Sequence, residues 1–163
     1  VPNETLRRDH FNPKTIDEIL NSPYETVSAT VPGNFELDLW RAGKIADPFY
    51  SINMLDLQKL ENRHLFYTLK FDAPNTSEFP AEDVFDPYSV HDANKPILRF
   101  EGIDTVAEIH LNGIYLGFSE NMFLAHEFPC SNLKKEGNEL IVHIIPTLSS
   151  LELFQTRHQI GLI

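Results

Sequence analysis

The sequence holds a single cysteine, Cys130, among 163 residues. One thiol can neither close a disulfide within the chain nor build a cysteine-liganded metal site. Basic residues are scarce: 13 Lys and Arg stand against 24 Asp and Glu, a formal net charge of −11. Phosphate recognition needs clustered cations, so nucleic acid is not an expected partner. There is no run of 18 apolar residues, so no membrane-spanning helix is expected, and no membrane partner. No signal-peptide pattern opens the chain, and nothing in it fixes a compartment. The sequence also lacks G-x-S-x-G, a P-loop, H-E-x-x-H and G-x-G-x-x-G. No cofactor and no metal are therefore expected.

What remains suffices for a folded domain. Apolar residues make up 42% of the chain and include 12 Phe, which argues against disorder. A chain of this length buries roughly 70% of its unfolded surface and fits one domain, or one domain with a tail. It opens on Val1 rather than Met and ends on the apolar run Gln159-Ile160-Gly161-Leu162-Ile163. The expectation is a domain from a longer protein.

Thr15-Ile16-Asp17-Glu18 fits a capping box and predicts a short helix to about Leu20. Thr26 to Val31 reads as extended, and Val31-Pro32-Gly33-Asn34 as a turn. Glu36 to Gly43 reads as a brief helix or a loop, with Gly43 as its C-cap. Asp47-Pro48-Phe49-Tyr50 is a further turn, and Leu55 to Leu60 suits one helical turn. From there β-favouring segments dominate: Phe66–Phe71, Ile97–Phe100, Thr105–Leu111, Ile114–Phe118, Phe123–Phe128 and Glu139–Ile145. Ala107, Ile109 and Leu111 share one face, with Glu108 and His110 opposite. Asn112-Gly113 is a hairpin signal, because both turn positions require positive φ. Glu139–Ile145 is apolar on both faces and is expected in mid-sheet. Many short strands with little helix predict an all-β fold, a β-sandwich or barrel.

Candidate chemistry is sparse. Seven His are scattered singly, and those on strands, His110 and His143, read as surface or satisfied core residues. His126-Glu127 has no second His at metal spacing. A polar stretch from about Asp72 to Lys95 carries Asp83, Asp86 and Asp92, either a calcium loop or, as preferred, a solvated acidic loop. Asn3-Glu4-Thr5 and Asn75-Thr76-Ser77 are glycosylation sequons. Cys130 reads as a structural or incidental thiol. Trp40, the sole Trp, reads as core or interface rather than as a sugar platform.

One long run is distinctive: Leu98-Arg99-Phe100-Glu101-Gly102-Ile103-Asp104-Thr105-Val106-Ala107-Glu108-Ile109-His110-Leu111-Asn112-Gly113-Ile114-Tyr115-Leu116-Gly117. Asn121-Met122-Phe123 and Leu133-Lys134-Lys135-Glu136-Gly137-Asn138-Glu139-Leu140 follow it. Val31-Pro32-Gly33 and Gly43-Lys44-Ile45-Ala46-Asp47-Pro48-Phe49-Tyr50 precede it. In this order and spacing, over about residues 25–150, they resemble the N-terminal sugar-binding domain of glycoside hydrolase family 2. Asp-Pro-Phe-Tyr and Asn-Met-Phe lean toward its β-mannosidase-like branch.

The resemblance implies a jelly-roll β-sandwich of the galactose-binding-like type with a few short helices. It implies an N-terminal extension over 1–24, the sugar-binding domain over 25–150, and a lead into a following domain over 151–163. Such a domain packs beside the remaining domains of a parent glycosidase, whose barrel holds both catalytic glutamates. No catalytic residue is then expected in this chain. Carbohydrate stands as a candidate ligand, and Asn62 as the candidate substrate-binding residue. Glu61-Asn62, five residues before Tyr67, resembles the β-galactosidase pattern in which an Asn reaches the active site; the alternative is local turn work. The chain departs from the mannosidase branch in two places: Arg157-His158-Gln159-Ile160-Gly161 runs into Leu162-Ile163 rather than Trp-Asp-Trp, and Glu61-Asn62-Arg63-His64 holds no Trp. Both departures bear on mannoside specificity. Two other roles stand beside the accessory domain: an autonomous carbohydrate-binding module, and a purely structural interaction domain.

Overall fold

The computed structural model describes residues 11–74 and 96–146. The acidic group Asp83, Asp86 and Asp92, both sequons, and the segment Arg157–Gly161 lie outside the described residues.

Helix α1 spans Ile16–Leu20. Thr15 caps it, its hydroxyl accepting from the Glu18 amide at 3.2 Å. The return half of the capping box is displaced by one residue: the Glu18 carboxylate accepts from the Lys14 amide at 2.8 Å instead of from Thr15. Helix α2 spans Phe35–Arg41, capped by Asn34, whose side chain accepts from the Leu37 amide. Helix α3 spans Asn53–Leu57, and a 3-10 turn continues it over Gln58–Leu60.

Among the described residues there are six strands: β1 Leu65–Phe71, β2 Ile97–Phe100, β3 Ala107–Leu111, β4 Ile114–Ser119, β5 His126–Pro129 and β6 Asn138–Ile144. Antiparallel pairing builds a four-stranded sheet in the order β1-β6-β3-β4 and a two-stranded sheet β2-β5. β6 lies between β1 and β3, which explains why both of its faces are apolar. β5 starts three residues later than its apolar pattern suggests, because Asn121 accepts from the Phe123 amide and turns the chain first.

The main core joins the two sheets. Ile103, Ala107, Ile109, Leu140 and Val142 meet Phe128 of the smaller sheet, with Tyr67, Phe71, Leu98 and Phe100 packed around them. The Ile, Leu, Val and Phe side chains among them each contribute roughly 1.5–3 kcal/mol on full burial. On the opposite face of the large sheet, Ile16 and Ile19 of α1 cover Ile141, flanked by Phe11 and Phe66. The β3–β4 hairpin turns at Asn112 (φ 52°) and Gly113 (φ 77°) as the dipeptide requires. Beyond the turn the pairing shifts between Ile109 and His110, which puts Gly117 opposite Ile109. The fold is an all-β sandwich with few helices.

Candidate functional site

The segment that carries Asn62 runs from the Asp47 turn into β1. Asp47 starts it as an Asx turn: its carboxylate accepts from the Phe49 amide at 2.9 Å, and its carbonyl accepts from Tyr50 N. The Asn53 side chain then donates to the Asp47 carbonyl at 2.8 Å, locking the start of α3 to the turn. A pocket of about 310 Å³ opens beside this element. Ile45, Leu57 and Leu60 supply apolar lining, while Asn53, Asp56 and Arg63 supply polar groups. Asn62 follows in a turn held by the Arg63 amide, which donates to Leu60 O at 3.1 Å. Its side chain is solvent-exposed and makes no hydrogen bond among the described residues.

Two residues later the chain is pinned to the sheet. His64 Nδ1 and His143 Nε2 lie 2.8 Å apart, and the Phe66 ring stacks on His143 at 4.3 Å. Leu65 pairs with Ile144, so this clamp sits where β1 begins and β6 ends. Asn62 therefore stands just outside the sheet on a braced turn. No local signal in the sequence pairs two His that are 79 residues apart.

Three other polar groupings lie outside this segment. Ser119 Oγ lies 3.0 Å from His126 Nε2, which resembles a nucleophile–base pair. Ser119, however, is fully buried and donates to the Thr105 carbonyl at 3.1 Å. His126 Nε2 also faces the Asn121 carbonyl at 2.9 Å, so it carries the proton and cannot act as base toward Ser119. Asp38, buried in α2, accepts from the Thr30 amide at 3.2 Å and from Arg41 at 3.0 Å. His110 is buried as well; its Nε2 lies 3.7 Å from the Glu108 carboxylate, and its Nδ1 has no hydrogen-bond partner among the described residues.

Burial raises the Tyr67 hydroxyl pKa above its ordinary value, and the Asp38 and Glu36 carboxylates raise it further. The Arg99 guanidinium bonded to Glu101 holds that carboxyl below its usual range. Arg99 also reaches Glu127 at 2.6 Å, across the β2–β5 pair. Among the described residues, no group of three His, Cys, Asp or Glu is placed to hold a metal ion, and no helix is long and apolar enough to cross a membrane.

This geometry and order of elements are shared with known proteins. A β-D-mannosidase structure from Dictyoglomus thermophilum matches 80% of this chain at 38% identity with a TM-score of 0.62. The match takes up 14% of that protein. The β-mannosidase of Mus musculus is 34% identical over 113 residues, 69% of this chain and 11% of its own length. β-Mannosidase B of Thermothelomyces thermophilus is 35% identical over 112 residues, 68% of this chain and 12% of its own length. The chain thus spans about a tenth of the curated relatives it matches. The family described as glycosyl hydrolase 2 galactose-binding domain-like matches residues 14–160. The chain belongs to the galactose-binding-like domain family of glycosyl hydrolase 2.

Proposed function

We propose that this chain is a non-catalytic domain of a β-mannosidase-type exo-glycosidase, with residues 25–150 as the domain and 151–163 leading to the next. One observation carries this reading: 80% of the chain matches only 14% of a β-D-mannosidase, at 38% identity. Hydrolysis of an O-glycosyl bond requires two carboxyl groups roughly 5–9 Å apart in a cleft, one of them able to give up or take a proton. Among the described residues, several carboxylates are committed to ion pairs. Glu101 and Glu127 bind Arg99, Asp17 and Glu139 bind Lys70, and Asp38 binds Arg41. In this reading the domain buttresses the catalytic domain and lends it Asn62 as part of one wall of the sugar pocket. An amide donates and accepts at once, which suits neighbouring sugar hydroxyls.

The test compares the full-length polypeptide with chain 1–163 on 4-nitrophenyl β-D-mannopyranoside. Nitrophenol release by the full-length protein alone is expected. Turnover by chain 1–163 would overturn the reading, as would a full-length protein inert toward aryl β-glycosides. The exposed rings of Phe49 and Tyr50 favour a second reading, an autonomous carbohydrate-binding module. Calorimetric titration of chain 1–163 with mannose, galactose and glucuronate separates the two, since binding by the isolated chain belongs only to the module.

A further inference from the structure

His64 Nδ1 and His143 Nε2 share a hydrogen bond of 2.8 Å, with ring centres 5.0 Å apart and both residues partly buried. Such a bond needs one N–H and one bare nitrogen. A first proton from water leaves it intact: it adds to the outer nitrogen of the donating ring, and the resulting cation donates to its neutral partner. A second proton has no such place. It must add to the accepting nitrogen, so that two N–H groups face each other across the contact. Two imidazolium charges with centres 5.0 Å apart also repel, and partial burial screens them less than water does.

The surroundings favour one charge and place it on His143. The Phe66 ring lies nearly flat on His143, 4.3 Å away at 12°, the placement in which an aromatic face attracts a cation. Glu108 stands directly across the β3–β6 pair from His143, with His110 Nε2 3.7 Å from its carboxylate. Glu108 therefore supports the first charge. Glu61 and Arg63, of opposite sign, precede His64 in the turn. Other carboxylates of α1 and β6 on this face of the sheet are engaged elsewhere: Asp17 and Glu139 by Lys70, and Glu18 by the Lys14 amide.

We propose that His64 and His143 form a proton-operated latch, closed with no added proton or one and opened by the second, which releases the Glu61–His64 turn from the sheet in mildly acidic water. Leu65 and Ile144 make the last β1–β6 pair, so the ring contact is the tie one residue beyond it. The latch does not depend on the role given to Asn62. In the unfolded chain each ring takes its proton near the ordinary histidine value of about 6.5. Below that pH the unfolded chain holds two protons at these positions and the closed latch one. The unfolded state binds more, so acid weakens the closed form by up to about tenfold per pH unit.

Long-range 1H–15N spectra of the imidazoles in chain 1–163, taken from about pH 8 to about pH 5, test this. One ring of the pair should take its proton at or above about pH 6.5, and the other at least about one pH unit lower. Through that second step the 1H–15N heteronuclear NOE of the Asn62 and Arg63 amides should fall, while that of Ile109 in the core stays constant. Simultaneous titration of both rings near the ordinary value would overturn the latch. So would NOE values at the turn that ignore the second step. His143→Gln supplies a second arm. Its amide stands roughly where Nε2 stood and can accept from His64 or donate to it, so the tie survives in every protonation state. The urea midpoint of this variant should fall less between about pH 7 and about pH 5 than that of the parent chain, the two folding constants diverging by up to about tenfold per pH unit. Parallel curves would assign the contact to packing alone and overturn the latch as well.

Discussion

Asn112 Nδ2 donates to Asn138 Oδ1 at 3.0 Å, joining the tip of the β3–β4 hairpin to the foot of the central strand. Asn138 is fully buried, and its amide is used on both sides. Its oxygen also accepts from the Lys134 amide at 2.8 Å, and its nitrogen donates to the carbonyls of Lys134 at 2.8 Å and Phe71 at 3.3 Å. Asn112 Oδ1 accepts from the Glu139 amide at 2.9 Å. Two side chains thus satisfy backbone groups from two strands, β1 and β6, and from the loop before β6. Asn138→Leu keeps the branched outline of the side chain but strands those groups. It should cost on the order of 2–4 kcal/mol, read as a lower urea midpoint. An unchanged midpoint would show that water replaces the amide.

Gly117 lies against the core rather than in a turn. A Cβ built there would sit 2.5 Å from the Phe128 ring. Phe128 cannot retreat, because it packs against Ile109, Leu140 and Val142 between the sheets. Gly117→Ala should destabilise chain 1–163 by about 1–3 kcal/mol through overpacking. Adding Phe128→Leu should recover part of that loss, a coupling visible in a double-mutant cycle. Strict additivity of the two variants would mean that the ring moves aside freely.

The features legible in the sequence are those determined by neighbours along the chain. Asn112-Gly113 turns the hairpin because positive φ is a local demand. Thr15 caps α1 because the hydroxyl reaches an amide three residues on. The apolar faces of β6 placed it in mid-sheet. What the sequence did not reveal depends on contacts across the sheet. The His64–His143 clamp needs the β1–β6 register before its partners can meet. In α2 the apolar pattern suggested Trp40 as a core or interface residue; Trp40 is exposed, which removes the core alternative, and Asp38 is the residue buried, accepting from Thr30 N and Arg41. Asp47–Tyr50 was read as a turn and Leu55–Leu60 as one helical turn; α3 starts two residues earlier, at Asn53, and nothing local says which way the exposed side chains of this segment point. The signature resembling family 2 is largely folding chemistry, so it identified a sandwich far more sharply than a site.

Asn62 separates a pocket role from a structural one. It is exposed on a turn that its own side chain does not hold. Asn62→Ala in the full-length protein should lower kcat/KM on an aryl β-mannoside while leaving the melting temperature within about a degree, as surface substitutions do. The reverse pattern, a lower melting temperature with normal kinetics, would assign Asn62 to turn work.

Cys130 reports on the core. It is buried, its thiol contacts the Phe128 carbonyl at 3.2 Å, and burial raises its pKa above the ordinary thiol value. The thiolate is the reactive form, so both access and ionisation oppose alkylation. Iodoacetamide at mildly alkaline pH should leave native chain 1–163 unmodified and label it at the rate of unfolding once urea is added. Rapid labelling of the native chain would mean that the β5 end opens on its own.

Tyr67 gives the fold an alkaline limit. It is half-buried against the main core, and burial first, then the Asp38 and Glu36 carboxylates, disfavour its ionised form. The folded state therefore holds the phenol proton more tightly than the unfolded state does. That contribution is fully present below the unfolded tyrosine pKa of about 10 and is lost as pH rises through the higher folded value. The urea midpoint of chain 1–163 should accordingly fall above about pH 10. Tyr67→Phe removes the titrating group while keeping the ring in the core. Its midpoint should fall less steeply over the same range, with the difference between the two slopes belonging to Tyr67 alone. Identical slopes would place the ionised Tyr67 in water, and the ring would then have to be accessible from the edge of β1.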